Sequence, residues 1–548
     1  MKILGIGGSD HDISACLLED GMITVAIEEE RLSREKHSVG VKSSLLKSVD
    51  YCLSYRGYEL EDIDYFVTND IFMTRLNSKK LFMDRMIKIN HHLAHIASSY
   101  YLSSFDKAGL FVSDGAGSIF SHFHVETISL GYASDTNIRI LNKVYGQNTL
   151  NRGKKIVKEN SLGQFYSFFS NLCGFGVHND GKVMGLAPYG SDKYLDEFRK
   201  LIKVTYNKGE LEVDIDLNSN YYKNLYKEIE INSRKDNNFK IKADYAYAAQ
   251  VVMEEVTFQL LNLLYDKTKC DNLCYSGGVA LNSVLNGKLK KNTSFRNIFI
   301  PPAPNDSGTA IGAALYAYYN IFNQDSSARY KLTNAYMGKE YSEEEIGKAL
   351  LKYSNKITVQ KVNVVKEAAE SLSKGKIIGW FQGKSEFGPR ALGNRSILAD
   401  ARQKDMKDII NRRIKFRESF RPFAPVIIND FWDTYFDTDF EENPFMLYVA
   451  DVKEDKKQII PAVTHVDGSA RVQIINRATN LKYYDLIMEY YKLTGVPVLL
   501  NTSFNVKGEP IVETPEHAIR TFVESDLDVL YLYDYCIHKK LLNSTCEE

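Results

Sequence analysis

Two stretches of this chain repeat one pattern, and the repetition limits the folds open to it. The first starts with an apolar run at residues 2–6 and passes through the polar turn Gly7-Gly8-Ser9-Asp10-His11-Asp12. Strand-like segments follow at 14–18 and 22–27, joined by Asp20-Gly21. The second has an apolar run at 109–112, the turn Ser113-Asp114-Gly115-Ala116-Gly117 and a strand-like stretch at 121–130. Short apolar runs bounded by glycine and aspartate read as buried strands, and Asp-Gly between two of them reads as a hairpin. Two copies of strand, acidic glycine turn and strand point to a duplicated α/β half. With 548 residues the chain is also too long for one hydrophobic core, so two or three domains are expected.

The remaining segments fill out that plan. Helical spacing occurs at 43–55 and 81–99, and residues 192–244, rich in Lys, Asn, Asp and Tyr, read as a peripheral insertion. A long amphipathic helix at 245–265 leads into an apolar strand at 272–275 and the turn Ser276-Gly277-Gly278. The polar stretch 323–329 is the best linker, which gives domains at 1–328 and 329–548. Beyond it, 342–353 and 365–373 read as helices, 376–381 as a strand, and the last third alternates the two.

Composition narrows the class. Hydrophobic residues at 44% and charged residues at 25% describe an ordinary globular chain and argue against disorder. A net charge of -1 supplies no general field for nucleic acid, and no apolar run is long enough to cross a bilayer. Residues 1–8 read as a strand and lack the basic and long apolar regions of a signal peptide. Cys16, Cys52, Cys173, Cys270, Cys274, Cys536 and Cys546 are odd in number and mostly in apolar contexts, which suits buried thiols in a reducing cytoplasm. Cys270 and Cys274 have no second pair to complete a zinc site.

Chemistry-bearing residues gather in two places. In His91-His92-Leu93-Ala94-His95, His91 and His95 are four apart, so on a helix both imidazoles project from one face and could hold one cation. Asp114 follows a strand and Asp306 lies in Asn305-Asp306-Ser307-Gly308; each could add a carboxylate from a strand end. A mixed His and Asp set suits Fe(II), Mn(II) or Zn(II). The turn Gly277-Gly278-Val279-Ala280-Leu281-Asn282 could bring backbone close to a phosphate or ribose, and a further glycine-rich turn begins at Asp180.

The other place is a run of cations. Lys384, Arg390, Arg395, Arg402, Arg412, Arg413, Lys415, Arg417 and Arg421 are interleaved with Gly388-Pro389 and Arg421-Pro422-Phe423-Ala424-Pro425. Arginines among rigid proline turns suit planar recognition of phosphate or carboxylate better than one solvated helix face. The turn at 464–473, with Arg471, and the segment Asn501-Thr502-Ser503-Phe504-Asn505 add amides and hydroxyls.

In order along the chain, these motifs resemble the O-carbamoyltransferase family of the nodulation-factor, cephamycin and tobramycin type. The resemblance rests on His11-Asp12, Glu28-Glu29-Glu30-Arg31, the histidine-rich stretch, 182–190, 277–282, 305–308, 386–396, 415–425 and 501–505, with Asp180 standing where a glutamate is expected. It implies a sugar-kinase and actin-like first domain followed by an α/β domain similar to the synthase that makes threonylcarbamoyl-AMP. It implies His91, His95, Asp114 and Asp306 as metal ligands, with Fe(II) ahead of Mn(II) or Zn(II). Nucleotide would lie near Asp180, Gly277, Gly278 and Asn282, and His11 with Lys36 would serve transfer. Lys415, Arg417, Arg421, Arg471, Asn501 and Ser503 would hold carbamoyl phosphate and ATP, with Mg(II) accompanying the ATP.

The reaction so implied forms carbamoyl-AMP and then carbamoylates a hydroxyl on a sugar, antibiotic, glycolipid or hydroxymethylated base. His11, with an unperturbed pKa near 6.5, is expected to act as the base for that hydroxyl. Two other classes fit less well. A tRNA threonylcarbamoylation enzyme needs a nucleic-acid surface that the near-neutral charge does not supply. A non-catalytic binding module has no use for two intact polar constellations. A homodimer is compatible with the sequence, and no membrane partner is expected.

Overall fold

The computed structural model describes residues 1–38, 46–72, 85–121, 124–147, 160–176, 178–215, 224, 227–228, 238–326, 329 and 332–540. The first positions of both early helical stretches, much of the peripheral insertion, part of the linker and Cys546 lie outside the described residues. Two compact units result, Met1–Glu29 with His37–Leu332 and Glu30–Lys36 with Thr333–Glu548.

The first unit contains two sheets built to one plan. Strands β1 (Lys2–Gly7), β2 (Ser14–Glu19), β3 (Met22–Glu28), β4 (Tyr65–Asn69) and β5 (Met86–Ile89) take the order β3-β2-β1-β4-β5. The β1–β2 and β2–β3 pairs are antiparallel, and the β1–β4 and β4–β5 pairs are parallel. The second sheet uses β6 (Lys107–Ser113), β7 (Ile119–Ser121), β8 (His124–Ser134) and β9 (Asn137–Gln147). After a separate hairpin of β10 (Ile202–Asn207) and β11 (Glu210–Ile215), it is completed by β12 (Asn272–Ser276) and β13 (Asn297–Phe299). Its path β9-β8-β6-β12-β13 repeats the first sheet in order and direction, with β7 added beside β8. This is the duplicated α/β half expected from the repeated turn pattern.

The stretch 81–99 differs from its helical reading. Residues Met86–Ile89 form β5, and the helix is confined to His91–Tyr100. Pairing with β4 outweighs the helical spacing there, because an apolar, partly β-branched segment fits the sheet edge. Asn90 then starts the helix by accepting a hydrogen bond from the Leu93 amide.

Each sheet feeds a helix after its last parallel strand, His91–Tyr100 after β5 and Thr309–Tyr316 after β13, and the two helices pack on each other. Gly312 permits the contact: a Cβ there would sit 1.8 Å from the Ala94 carbonyl oxygen. Gly312→Ala should therefore force the helices apart and cost roughly 1–3 kcal/mol, read as a lower urea midpoint. An unchanged midpoint would show that the pair relaxes freely.

In the second unit the strands are β14 (Ile357–Lys361), β15 (Ile378–Phe381), β16 (Arg395–Asp400), β17 (Ala424–Ile428), β18 (Phe436–Asp437), β19 (Ala450–Val452) and β20 (Ser469–Ala470). They continue with β21 (Gln473–Ile475), β22 (Val498–Ser503), β23 (Val529–Leu532) and β24 (Tyr535–Lys539). An eight-stranded mixed sheet runs β14-β24-β23-β15-β16-β22-β17-β21, with β18-β19-β20 as a small second sheet. Strand alternation sends Ile397, Ile427 and Leu530 into one buried cluster. It sends Leu398, Val426 and Val529 into another, which includes residues of the helices Val364–Ser373 and Leu481–Thr494. Both faces are covered, which explains why these strands read as near-continuous apolar runs.

Glu30–Lys36 joins this unit through its arginines. Arg31 donates to the Gly388 carbonyl at 2.7 Å, and Arg34 donates to the carbonyls of Ile511 at 2.7 Å and Pro510 at 2.8 Å. Among the described residues no helix is long and apolar enough to cross a membrane.

Candidate functional site

In the first unit, the His91–Tyr100 helix and two strand-end turns bring four donors together. The Nε2 atoms of His91 and His95 are 3.1 Å apart. Asp114 Oδ2 lies 3.3 Å from His91 Nε2 and 3.7 Å from His95 Nε2, and Asp306 Oδ1 lies 3.5 Å from each. Donors bound to one cation at about 2.0–2.2 Å are spaced by roughly 3–3.5 Å, so these four atoms fit the edges of a coordination polyhedron. All four residues are buried. Burial pulls the His91 imidazole down, but the charge of Asp306 and the hydrogen bond to Asp114 push it up to about 10. The same contacts hold both carboxyls well below their usual range. The cavity thus attracts positive charge, and the His and Asp donors fit a divalent transition metal.

Surrounding groups aim these donors. Asp114 Oδ1 accepts from the Gly278 amide at 3.0 Å, which turns Oδ2 toward the histidines. Asn90 Nδ2 donates to Ser118 Oγ at 2.8 Å and Glu126 Oε2 at 2.9 Å, and the His91 amide donates to Ser118 Oγ at 2.8 Å. His92 points elsewhere, with Nδ1 2.7 Å from Ser129 Oγ, and takes no part in the set.

A second polar cluster in the same unit surrounds His11. Asp12 bridges two imidazoles, with Oδ2 3.3 Å from His11 Nδ1 and Oδ1 2.8 Å from His37 Nδ1, while Asn305 donates to Oδ2 at 2.9 Å. The His178 ring lies 4.4 Å from that of His11 and stacks 4.8 Å from that of His37. Asp12, His37 and His178 have φ of 55°, 53° and 58°, a left-handed backbone that is costly outside glycine and concentrates at functional sites. Burial pulls His11 down, but the Asp12 hydrogen bond and the charges of Asp306, Asp12 and Asp10 push it up to about 9. That departs from the unperturbed value expected from sequence, because carboxylates face the ring and favour its protonated form. Lys36 belongs to the segment that packs with the second unit, where its charge acts on Lys415.

The expected nucleotide residues have mixed surroundings. Gly277, with φ 93°, donates its amide to the Pro304 carbonyl at 2.8 Å, and a Cβ on it would meet the Ser113 carbonyl oxygen at 2.3 Å. The glycine is therefore required by the packing of β12 against β6. Asn282 caps a short helix through Leu285 N and exchanges hydrogen bonds with Gln250. Asp180, at the start of Asp180–Leu186, has a carboxyl raised by burial, and the charges of His37 and His11 reach it. The structure thus gathers Asp180 toward the histidines and leaves Asn282 in a separate amide network.

In the second unit the cations sort into two groups. Arg395 is buried, donates to the Gln382 carbonyl at 2.6 Å and lies 3.6 Å from the Phe381 ring. Arg402 pairs with Asp400 at 2.7 Å and Arg413 with Asp528 at 3.2 Å. These three hold the fold. Arg390, Lys415, Arg417, Arg421 and Arg471 instead act on one another. Burial first, then Arg421, lowers Arg390 to about 10 and Arg417 to about 9. Burial, then Arg390, Arg417 and Arg421, depress Arg471. Lys415 is lowered by burial and by Arg417, Lys36 and Arg421. Glu418, 3.8 Å from Arg421, relieves only part of this. Lys415 is buried and the four arginines are half-buried, so a bound anion could reach these like charges and relieve their repulsion.

Neutral groups fix the cluster. Lys415 Nζ donates to the Ser503 carbonyl at 2.6 Å and to Asn505 Oδ1 at 2.6 Å, and Ser503 Oγ donates to the same Oδ1 at 2.7 Å. Asn501 is buried and spends its amide on the Ala391 carbonyl at 3.1 Å and Gln473 Oε1 at 3.0 Å, so it steadies the loop beside Arg390. Glu386 accepts on Oε1 from the amides of Leu392 at 2.8 Å, Asn394 at 2.8 Å and Arg395 at 3.1 Å, which closes that loop. Arg390, Glu386 and the Asp12 bridge were not singled out as site residues from sequence. An acidic residue inside a Gly-Pro-Arg loop was the available signal for Glu386.

Comparisons with known proteins cover both units. The family description "Carbamoyltransferase N-terminus" matches residues 2–77 and 68–315, and "Carbamoyltransferase C-terminus" matches 369–539. Nodulation protein NolNO of Sinorhizobium fredii is 34% identical over 97% of this chain and 79% of its own length. Nodulation protein NolO of Bradyrhizobium diazoefficiens is 36% identical over 82% of this chain and 79% of its own. Among solved structures, full-length HypF in its phosphate- and nucleotide-bound form is 16% identical with a TM-score of 0.34, covering 59% of this chain and 47% of that one. A ROK family glucokinase from Streptomyces griseus is 9% identical with a TM-score of 0.30, covering 57% of this chain and 98% of that one. Structural likeness at that level adds nothing to the reading of the sites.

Proposed function

Because this chain belongs to the carbamoyltransferase family, we propose that it catalyses ATP-dependent O-carbamoyl transfer in two stages. In the first, water cleaves carbamoyl phosphate to carbamate and phosphate, and a carbamate oxygen attacks the α-phosphorus of ATP. The products are carbamoyl-AMP and pyrophosphate. In the second, an acceptor hydroxyl attacks the carbamoyl carbon, the bond to the AMP phosphate oxygen breaks, and the hydroxyl proton passes to the departing phosphate. The observation that carries this reading is the crowding of Arg390, Lys415, Arg417, Arg421 and Arg471, whose mutual repulsion a polyanion would relieve. Carbamoyl phosphate and ATP, the latter with Mg(II), are substrates of that character.

The roles follow from the surroundings. Arg421 and Arg471 would hold phosphate oxygens, while Lys415, fixed by Ser503 and Asn505, would set a positive charge beside them. Arg417 lies 4.3 Å from the Phe423 ring, which fixes the plane of its guanidinium. In the first unit, a divalent metal held by His91, His95, Asp114 and Asp306 would supply a Lewis acid for a phosphate oxygen of carbamoyl-AMP. His11, kept as an imidazolium by Asp12, would stabilise negative charge on the departing phosphate and orient it. Asp180, within reach of the same charges, would accept a hydrogen bond from the nucleotide ribose. The acceptor is a hydroxyl-bearing small molecule, sugar or modified base, to be found by screening acceptors with labelled carbamoyl phosphate.

Arg421→Ala tests the first stage. Losing one charge-assisted contact should slow phosphate release from carbamoyl phosphate about ten- to a hundredfold. Synthetic carbamoyl-AMP should restore transfer in the folded variant. Failure of that rescue would remove Arg421 from the first stage.

A further inference from the structure

A second group of metal-type donors lies in the second unit and shares no residue with the anion receptor. Cys536 and His538 are two apart on β24, so both project from one face of the sheet. Cys536 belongs to the buried cluster that includes residues of the Val364–Ser373 helix, while its neighbour Ile537 belongs to the opposite cluster. From that helix Glu367 reaches the same point. Cys536 Sγ is 3.4 Å from His538 Nε2, and one donor atom of each of the three residues lies within 4.8 Å of the others. A thiolate and an imidazole bound to one tetrahedral zinc are roughly 3.5 Å apart. Cys536 is buried, and Glu367 and His538 are half-buried, so an ion has a route in and a fourth position remains for water.

We propose that Glu367, Cys536 and His538 form a binding site for a borderline divalent cation of the Zn(II) type, separate from the His91 and His95 set. Carboxylate, thiolate and imidazole suit such an ion better than Mg(II) or Ca(II). Binding exchanges a proton for the metal: the Cys536 thiol releases H⁺ as sulfur bonds to M²⁺, and nothing is oxidised or reduced. The ion would tie the Val364–Ser373 helix to β24. That helix packs against β15 and β16, so the tie stiffens the sheet from which the anion receptor projects.

Titration of the full-length protein with Co(II) tests the site. The His91, His95, Asp114 and Asp306 set has no sulfur, and among the described residues no other donor group includes a cysteine, so a thiolate-to-cobalt charge-transfer band that depends on Cys536 reports the proposed site. The native protein should show the band, with one more bound equivalent than Cys536→Ser. Cys536→Ser should lose it, and His538→Ala and Glu367→Gln should weaken Co(II) binding there by more than about a hundredfold, since loss of a ligand exceeds the effect of loss of its supporting partners. The last two residues are half-buried, so their variants keep the test valid if Cys536→Ser fails to fold. Absence of the band in native protein, or its persistence at native affinity in the His538→Ala and Glu367→Gln variants, would overturn the proposal and leave a thiol hydrogen-bonded within a packed layer.

Discussion

His91→Ala and Asp306→Ala are each expected to cut carbamoyl transfer from carbamoyl-AMP by about a thousandfold or more while leaving phosphate release from carbamoyl phosphate near its native rate. Each substitution removes a donor from a buried set in which the contacts of the two imidazoles span 3.1–3.7 Å. In His91→Ala Asp114 loses its nearer imidazole and Asp306 one of two equidistant ones, and the remaining donors bind a divalent ion much more weakly. A Lewis acid is worth several kcal/mol of charge stabilisation, which sets the size of the loss. Metal content of the purified variants should fall in step with transfer. Equal loss of both activities in a folded variant would mean that the two stages do not use separate residues. Retained metal with lost transfer would assign these side chains another role.

His11→Ala should slow transfer from carbamoyl-AMP by roughly a hundred- to ten-thousandfold, with normal metal content and normal carbamoyl-AMP formation. Its pH profile distinguishes two roles. With the imidazole raised to about 9, the protonated form persists through neutrality and is lost as pH climbs past that value. If the imidazolium steadies the departing phosphate, the native rate is flat from about pH 6.5 to 8.5 and falls above 9. If the neutral ring is instead a base, the rate rises about tenfold per unit up to 9 and then levels. Asp12→Asn should move the break toward lower pH in either case, because the carboxylate that holds the proton is gone. A His11→Ala enzyme with near-native transfer would leave the ring only the shaping of its turn.

Much of this architecture is local information. The turn at 7–12 and the turn at 113–117 follow strands in both halves because glycine and aspartate end short apolar runs wherever they occur. Four-residue spacing places His91 and His95 on one helix face, and the order of motifs carries the family. What failed locally was β5: Met86–Ile89 has a pattern compatible with either element, and only the neighbouring edge of β4 selects the strand. The cations show the same limit. Arg395 and Arg390 sit five positions apart in one charged run, yet one is locked in backbone carbonyls and the other repels its fellow arginines.

By itself the sequence determined the duplicated plan, the donor types and the family, since strand periodicity, turn chemistry and motif order are properties of neighbouring residues. Tertiary structure alone decided which groups meet and what charge they carry. Asp12 touches both His11 and His37, and Asp306 faces a helix more than two hundred positions upstream. The proton on His11 follows from those contacts, because a pKa depends on burial and on charges a few ångströms away, which chain order does not specify.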